Sequence, residues 1–125
     1  MQRRLAGILA AFHAANGLAM LCAGSTRWTR VPGAAETGPF NPHLVQDVGA
    51  AFLAAGLALG LRAWRPNYWP AALAGSLFLV GHATIHLIML ASGHDHHPGA
   101  DLAGVVLPAA LAVYSAFPAK GEQYA

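Results

Sequence analysis

Hydrophobic residues along the chain gather into four apolar segments, separated by short stretches of glycine, proline and charged residues. The segments are Leu5–Ala23, His43–Leu61, Trp69–Ala91 and Leu102–Phe117. Each approaches the roughly 20 residues that a helix needs to cross the hydrocarbon core of a bilayer. The pattern predicts four transmembrane helices in one integral membrane domain that covers residues 1–125.

Small residues within these segments favour close helix packing. All four segments are rich in alanine and glycine, and Gly56 and Gly60 form a GxxxG pattern, which lets membrane helices approach closely. Pro108 in the middle of the fourth segment predicts a kink, which membrane helices tolerate where neighbours satisfy the freed carbonyl. We therefore expect an all-α fold, a four-transmembrane-helix up-down bundle.

The composition agrees with lipid as the solvent of this chain. Hydrophobic residues make up 56% of it and charged residues 10%, whereas an ordinary soluble domain has roughly 25% charged residues. The net charge is +2 with no basic stripe, so a nucleic-acid partner is not predicted. Cys22 is the only cysteine, which excludes an internal disulfide and a CxxC site.

Positively charged residues predict how the bundle is oriented. Five of them fall on one side of the predicted membrane: Arg3, Arg4, Arg62, Arg65 and Lys120. Arg27 and Arg30, in the first connection, oppose this count. Because Lys and Arg are enriched in cytoplasmic loops, we expect both termini in the cytoplasm. The compact loops and alanine-rich spans favour a bacterial inner (plasma) membrane.

A cleaved signal peptide that ends near Ala23 is the alternative for the first segment. Leu21, which precedes Cys22, fits a lipoprotein signal poorly. His13 and Asn16 would also be unusual in the apolar region of a signal peptide. We therefore expect the first segment to be retained as a transmembrane helix.

Titratable side chains recur within the apolar segments. His82 and His86 are four residues apart on the third predicted helix, so both project from one face. His43 and Asp47 repeat this spacing on the second helix. If the two helices are antiparallel, both pairs lie at one depth in the outer half of the membrane. An aspartate within a span needs a partner, so we expect Asp47 to pair with His82 or His86.

Imidazole and carboxylate groups at one depth suit a transition metal. Three histidines and one aspartate would complete a tetrahedral zinc site, and two histidines with a carboxylate would suit iron. The candidate ligands are His43, Asp47, His82 and His86. The first helix adds His13, Asn16 and Met20 on one face as candidate cofactor-binding residues, and the Met20 thioether would suit copper. The spacing does not choose among zinc, copper and iron.

A b-type haem is the alternative cofactor. Its axial ligands would be His13 and either His82 or His86, because such ligands usually come from different helices. His82 and His86 project from one helix face, so they cannot bind one iron from opposite sides. For this reason the sequence favours a metal ion over haem.

The connection after the third helix carries a histidine-rich tract. Short tracts of this kind bind zinc, copper or nickel, and here the residues are His94, Asp95, His96 and His97. The tract would capture metal at the mouth of the intramembrane site. The alternative is a solvated turn, after which Asp101 caps the fourth helix.

Several functions remain open at this point. The sequence holds no G-x-S-x-G, P-loop or dinucleotide fingerprint, so any enzymatic chemistry would depend on the His/Asp cluster. We expect a polytopic membrane protein that binds a transition metal in the outer half of the bilayer. The alternatives are a non-catalytic small subunit or scaffold of a membrane complex, with a purely structural Asp–His contact, and a small transporter or proton-coupled carrier that oligomerises.

One stretch resembles a known kind of protein. The sequence TGPFNPHLVQDVGAAFLAAGLAL at 37–59 is similar to a stretch of small uncharacterised bacterial four-helix integral membrane proteins. The resemblance covers about a fifth of the chain. It implies the fold and the location, and it carries no activity and no site residues.

Overall fold

The part of the chain that the structure describes contains four long helices joined by short connections. The structure, a computed structural model, describes residues 1–94, 97–119 and 122, and these contain no strand. The first helix is Gln2–Arg30, the second is Pro42–Trp64, the third is Trp69–Ala91 and the fourth covers Pro98–Ala116. All four are long and apolar enough to cross a membrane. Among the described residues, the predicted all-α class and four apolar helices of membrane-spanning length are confirmed.

The first helix continues past its predicted end at Ala23. Its backbone leaves helical geometry at Ala23, with φ −139° and ψ 42°, and the helix then resumes to Arg30. Sharp kinks commonly occur at glycine and serine, and Gly24 and Ser25 follow directly. The hydropathy pattern missed this last part because its side chains are polar.

The fourth helix begins at Pro98, earlier than predicted. A π turn occupies Leu102–Val106, and the α-helix Leu107–Ala116 follows with Pro108 in its first turn. Proline has no N–H to donate, and its ring clashes with a preceding carbonyl in a regular helix. The π turn, which widens the helix locally, lies directly before Pro108 and accommodates it. Asp101, predicted as a cap, lies inside the helix and makes no cap hydrogen bond.

The helices pack in a ring. The first helix packs against the second, the second against the third, the third against the fourth and the fourth against the first. Glycines permit the close approach of the first two helices, because a Cβ on Gly56 would lie 2.7 Å from Ala14 N and one on Gly17 would lie 2.6 Å from Gly49 O. The first and third helices consequently lie across the bundle from each other.

Hydrogen bonds join the start of the first helix to the ends of the second and fourth. The Arg3 guanidinium donates to the carbonyl oxygens of Ala63, at 3.0 Å, and Trp64, at 2.7 Å. Gln2 Nε2 donates to Tyr114 O at 3.3 Å. We call this part of the molecule the arginine end, after Arg3, Arg4 and Arg62. The opposite end, where Glu36 meets His97, is the histidine end.

Candidate functional site

All four helices line a cavity of about 810 Å³ that reaches the histidine end. Ligand pockets in proteins typically have volumes of about 300–1,000 Å³ and apolar walls with a few polar groups. This cavity, the histidine pocket, has that character. Its polar lining includes His13, Asn16, Arg27, Glu36, His82, His86, His94, His97 and Asp101, and its apolar lining includes Phe12, Met20, Val48, Phe52, Leu79, Ile85, Met89 and Val105.

His13, from the first helix, is the most deeply buried polar group of the histidine pocket. Only 2% of it is exposed, and among the described residues neither ring nitrogen has a hydrogen-bond partner. Its ring stacks on Phe52 at 5.8 Å between centroids and meets the edge of Phe12 at 5.1 Å. An unsatisfied buried polar group costs roughly 1–3 kcal/mol. A ligand that partners His13 would recover this free energy.

His86, from the third helix, is held by a carboxylate of the fourth helix. Its Nδ1 lies 2.5 Å from Asp101 Oδ2, and both side chains are partly buried. When the carboxylate accepts from Nδ1–H, the lone pair of His86 is on Nε2. A carboxylate on the far nitrogen is the usual support of a metal-binding histidine, because it fixes the tautomer and raises the basicity of the ligating nitrogen.

His82 lies between His86 and the aromatic wall of the pocket. Its ring centroid is 4.7 Å from that of His86, 5.3 Å from Phe52 and 5.9 Å from Phe78. Phe52 in turn stacks on His13. The rings therefore form a continuous row across the pocket, in which Phe52 and His82 lie between His13 and His86.

Charged side chains lie at the mouth of the histidine pocket. Arg27 donates from Nη2, at 2.5 Å, and from Nε, at 3.1 Å, to Asn16 Oδ1. Asn16 Nδ2 lies 4.0 Å from Met20 Sδ, so these candidate cofactor residues line the pocket as part of one network. His97 Nε2 lies 3.0 Å from Glu36 Oε1. The mouth therefore holds both a positively charged group, Arg27, and a negatively charged one, Glu36, and Arg27 lines the pocket together with the apolar side chains.

The structure turns His43 and Asp47 away from this pocket. Their side chains are 85% and 64% exposed, and they pair with each other at 3.5 Å. Val45, Gly49 and Phe52 form the buried face of the second helix. Asp47 is two residues from Val45, about 200° around a helix of 3.6 residues per turn. The expected pairing of Asp47 with His82 or His86 is therefore wrong, and the carboxylate at His86 is Asp101.

Asp101 is one of the site residues that the sequence reasoning missed, and Arg27 is another. His86 lies five residues before the third helix ends at Ala91, and Asp101 lies three residues after the fourth begins at Pro98. Helices joined by so short a connection bring such residues to similar depth. The sequence analysis compared depths only between the second and third helices. The same comparison between the third and fourth helices would have found Asp101 if the start of the fourth helix at Pro98 had been recognised.

The four predicted metal ligands do not form one site. His82 and His86 line the pocket, whereas His43 and Asp47 lie outside it. Within residues 1–94, 97–119 and 122, no group of three or more His, Cys, Asp or Glu side chains is arranged to hold a metal ion.

The histidine-rich tract is described only in part. His94 Nδ1 lies 3.0 Å from Ser92 Oγ, and both His94 and His97 line the pocket. Asp95 and His96 lie outside the described residues. Metal capture by this tract stays a prediction.

Comparison of the chain with protein-family models, with curated proteins and with solved structures gives no match. The resemblance of residues 37–59 to small bacterial membrane proteins therefore stays a prediction. Function is inferred from the histidine pocket itself.

Proposed function

We propose that this chain is a multi-pass membrane protein that binds a b-type haem in the histidine pocket and serves one-electron transfer. His86 of the third helix and His13 of the first are the axial ligands. One observation carries the proposal: a cavity of about 810 Å³ has a carboxylate-supported imidazole on one helix and, on another, a buried imidazole with no hydrogen-bond partner among the described residues.

The number of ligands favours haem over a bare metal ion. A structural or catalytic zinc site takes three or four protein ligands, and the described residues offer no such group. A porphyrin brings four nitrogens of its own, so the protein supplies only one or two axial ligands. The sequence favoured a metal ion over haem, and the proposal accordingly places haem before the metal ion.

The two histidines would bind one iron only if the rings of Phe52 and His82, which lie between them in the row, moved aside. The first and third helices lie across the bundle, since each packs against the second and fourth. Axial ligands from two such helices approach an iron from opposite sides. Asp101 occupies Nδ1 of His86 and leaves Nε2 for the iron, and both nitrogens of His13 are without partners in the part of the chain described.

The walls and mouth of the pocket suit the rest of a haem. Phe12, Phe52 and Ile85 supply apolar surface for the porphyrin faces. The haem propionates are carboxylates, and an arginine binds carboxylates through charge-assisted hydrogen bonds. Arg27, which Asn16 holds at the mouth, is the group that would bind them. With two histidine ligands the iron has no open position, so electron transfer is the chemistry that this site supports.

The proposal includes an up-down bundle in the bacterial inner membrane, with both termini in the cytoplasm. The contacts of Arg3 with Ala63 and Trp64 support antiparallel first and second helices. The concentration of arginine at that end supports its cytoplasmic location. The haem would then lie in the outer half of the bilayer, where it could exchange electrons with a partner subunit.

Haem binding is tested with the full chain in detergent, titrated with haemin and followed by its visible spectrum. The wild type is expected to saturate at one haem per chain with a Soret band of a six-coordinate haem. His86→Ala is expected to bind haemin at least about tenfold more weakly. His43→Ala, which removes an exposed histidine outside the pocket, is the matched control and should bind like the wild type.

Three results would contradict the proposal. The first is a wild type without a Soret band. The second is a His86→Ala variant that keeps its helix content and binds haemin with the affinity of the wild type. The third is zinc, copper or iron that is recovered without porphyrin and lost in His82→Ala, which would favour a metal-ion site instead.

A further inference from the structure

A second pocket lies at the arginine end, away from the proposed haem. Its volume is about 540 Å³, and its lining consists of Met1, Gln2, Arg3, Arg4, Ala63, Ala119 and Glu122. We call it the arginine-end pocket. Glu122 contributes the single carboxylate among these lining residues, against the guanidinium groups of Arg3 and Arg4.

A third arginine lies behind Glu122. Arg62 is 0% exposed, and its Nη2 donates to Glu122 Oε2 at 2.5 Å and to Phe117 O at 3.3 Å. Its Nε and Nη1 are buried without a hydrogen-bond partner among the described residues. Because a buried guanidinium stays charged, this region holds more positive charge and more N–H donors than Glu122 can satisfy.

Glu122 indicates which chemical group this region attracts. Its Oε2 accepts from the Arg62 guanidinium and from the backbone N–H of Ala119, the latter at 3.0 Å. The hydrogen bond from Ala119 and the one from Arg62 lower the pKa of Glu122 below its ordinary value. Guanidinium and backbone N–H groups are also the donors that bind phosphate oxygens. An oxyanion is thus already held here by the kinds of donor that a phosphate would use.

The pocket also lies at a level suited to lipid headgroups. The second helix ends at Trp64, which stacks on Tyr68 at 6.0 Å, and the Arg65 guanidinium lies 4.4 Å from the Trp64 ring centroid. Tryptophan and tyrosine are enriched where membrane spans reach the headgroups. Basic pockets between helices at this level bind anionic lipids.

We infer that the arginine-end pocket binds a phosphate group, in competition with the carboxylate of Glu122 for the arginine side chains around it. Arg4 makes the direct contact and Arg62 supplies further positive charge from behind. Two sources carry this chemistry: the headgroup of an anionic phospholipid such as phosphatidylglycerol, and free inorganic phosphate. The inference does not depend on haem binding at the other end.

The test measures adducts of the full chain by native mass spectrometry in detergent, with phosphatidylglycerol, phosphatidylcholine or inorganic phosphate added. Phosphatidylglycerol is expected to bind more tightly than phosphatidylcholine. Arg4→Gln is expected to weaken that binding roughly ten- to hundredfold, the range for one hydrogen bond to a charged group. Glu122→Gln is expected to strengthen it, because the competing carboxylate is gone.

Arg65→Gln is the matched control. It removes the same charge from the same end of the molecule, but Arg65 does not line the pocket. Equal losses in Arg4→Gln and Arg65→Gln would indicate general attraction to anionic lipid and would overturn the site. The site would also be overturned if the wild type bound phosphatidylglycerol and phosphatidylcholine equally and did not bind inorganic phosphate. Phosphate binding that depends on Arg4 supports a soluble anion, and Arg4-dependent binding of phosphatidylglycerol alone supports the lipid.

Discussion

Asp101 and His86 form the contact that would set the electronic properties of the proposed haem. The carboxylate is 2.5 Å from the imidazole nitrogen that faces away from the proposed iron. A negative charge at that position gives the ligating nitrogen more anionic character and stabilises the ferric iron. In the proposed haem complex, the Asp101 side chain would therefore contribute to the reduction potential without touching the haem.

Asp101→Asn should raise the midpoint potential of the bound haem by tens of millivolts. Asparagine can keep the hydrogen bond to His86 but removes the charge that favours ferric iron. A potentiometric titration of wild type and variant measures the change, with Asp47→Asn, which alters an exposed carboxylate outside the pocket, as control. An unchanged potential in Asp101→Asn would argue against His86 as a ligand.

Glu122 contributes stability that depends on pH in a defined direction. Its pKa in the folded protein is lowered by the Ala119 N–H and by Arg62. A carboxyl group with a lowered pKa stabilises the fold above its unfolded-state pKa, and this stability is lost as the pH falls through the folded-state pKa.

Glu122→Gln should accordingly lower the thermal unfolding temperature at neutral pH, with a loss on the order of 1 kcal/mol for this partly exposed group. The difference from the wild type should shrink as the pH falls below the ordinary value of 4.5. Thermal unfolding in detergent across this pH range measures it. A difference that grows on acidification would contradict the assigned role of Glu122.

At the scale of elements, the first and second helices form the closest pair of the bundle. Backbone meets backbone where glycines face the partner helix, as at Gly56 and Gly17. Apolar burial alone gives little drive for association in lipid, so this close packing carries much of the interaction. The GxxxG pattern in the sequence indicated a contact of this kind, though it did not identify the first helix as the partner.

Gly56→Ala should destabilise the bundle by about 1–3 kcal/mol, the usual cost of overpacking. The new Cβ would lie 2.7 Å from Ala14 N and 3.0 Å from Ala10 O, which are backbone atoms with little freedom to move. Gly81→Ala on the third helix is the matched control, since a Cβ there meets nothing within 4 Å. Thermal unfolding in detergent compares the two, and similar stability of both variants would argue against the packing described.

The sequence predicted helices better than helix ends and faces. The third helix was predicted at both bounds because apolar residues fill it, Pro70 lies in its first turn and Gly93 follows closely after its end. The extension to Arg30 was missed because polar residues there read as a loop, and Arg27 was consequently absent from the predicted site. Alanine-rich helices have similar residues on all sides, so hydropathy did not reveal that Asp47 faces outward.

At the scale of the whole molecule, the two ends of the bundle have different chemistry. The histidine end holds a large, mostly apolar cavity whose lining includes imidazoles from the first and third helices. The arginine end holds a smaller pocket with a carboxylate between guanidinium groups. The fixed rise per residue allowed a prediction of which residues share a depth, and that depth stays a prediction. The contacts across the bundle could not be predicted, because they depend on which helices lie diagonally opposite each other.

The axial pair is tested most directly by the electron paramagnetic resonance spectrum of the ferric, haem-loaded protein. The wild type should give a low-spin signal of iron with two histidine ligands. His13→Ala, which removes the ligand from the first helix and leaves His86 in place, should give a high-spin signal. A wild type that is high-spin, or a His13→Ala variant whose low-spin signal is unchanged, would contradict the claim that His13 and His86 bind one iron across the bundle.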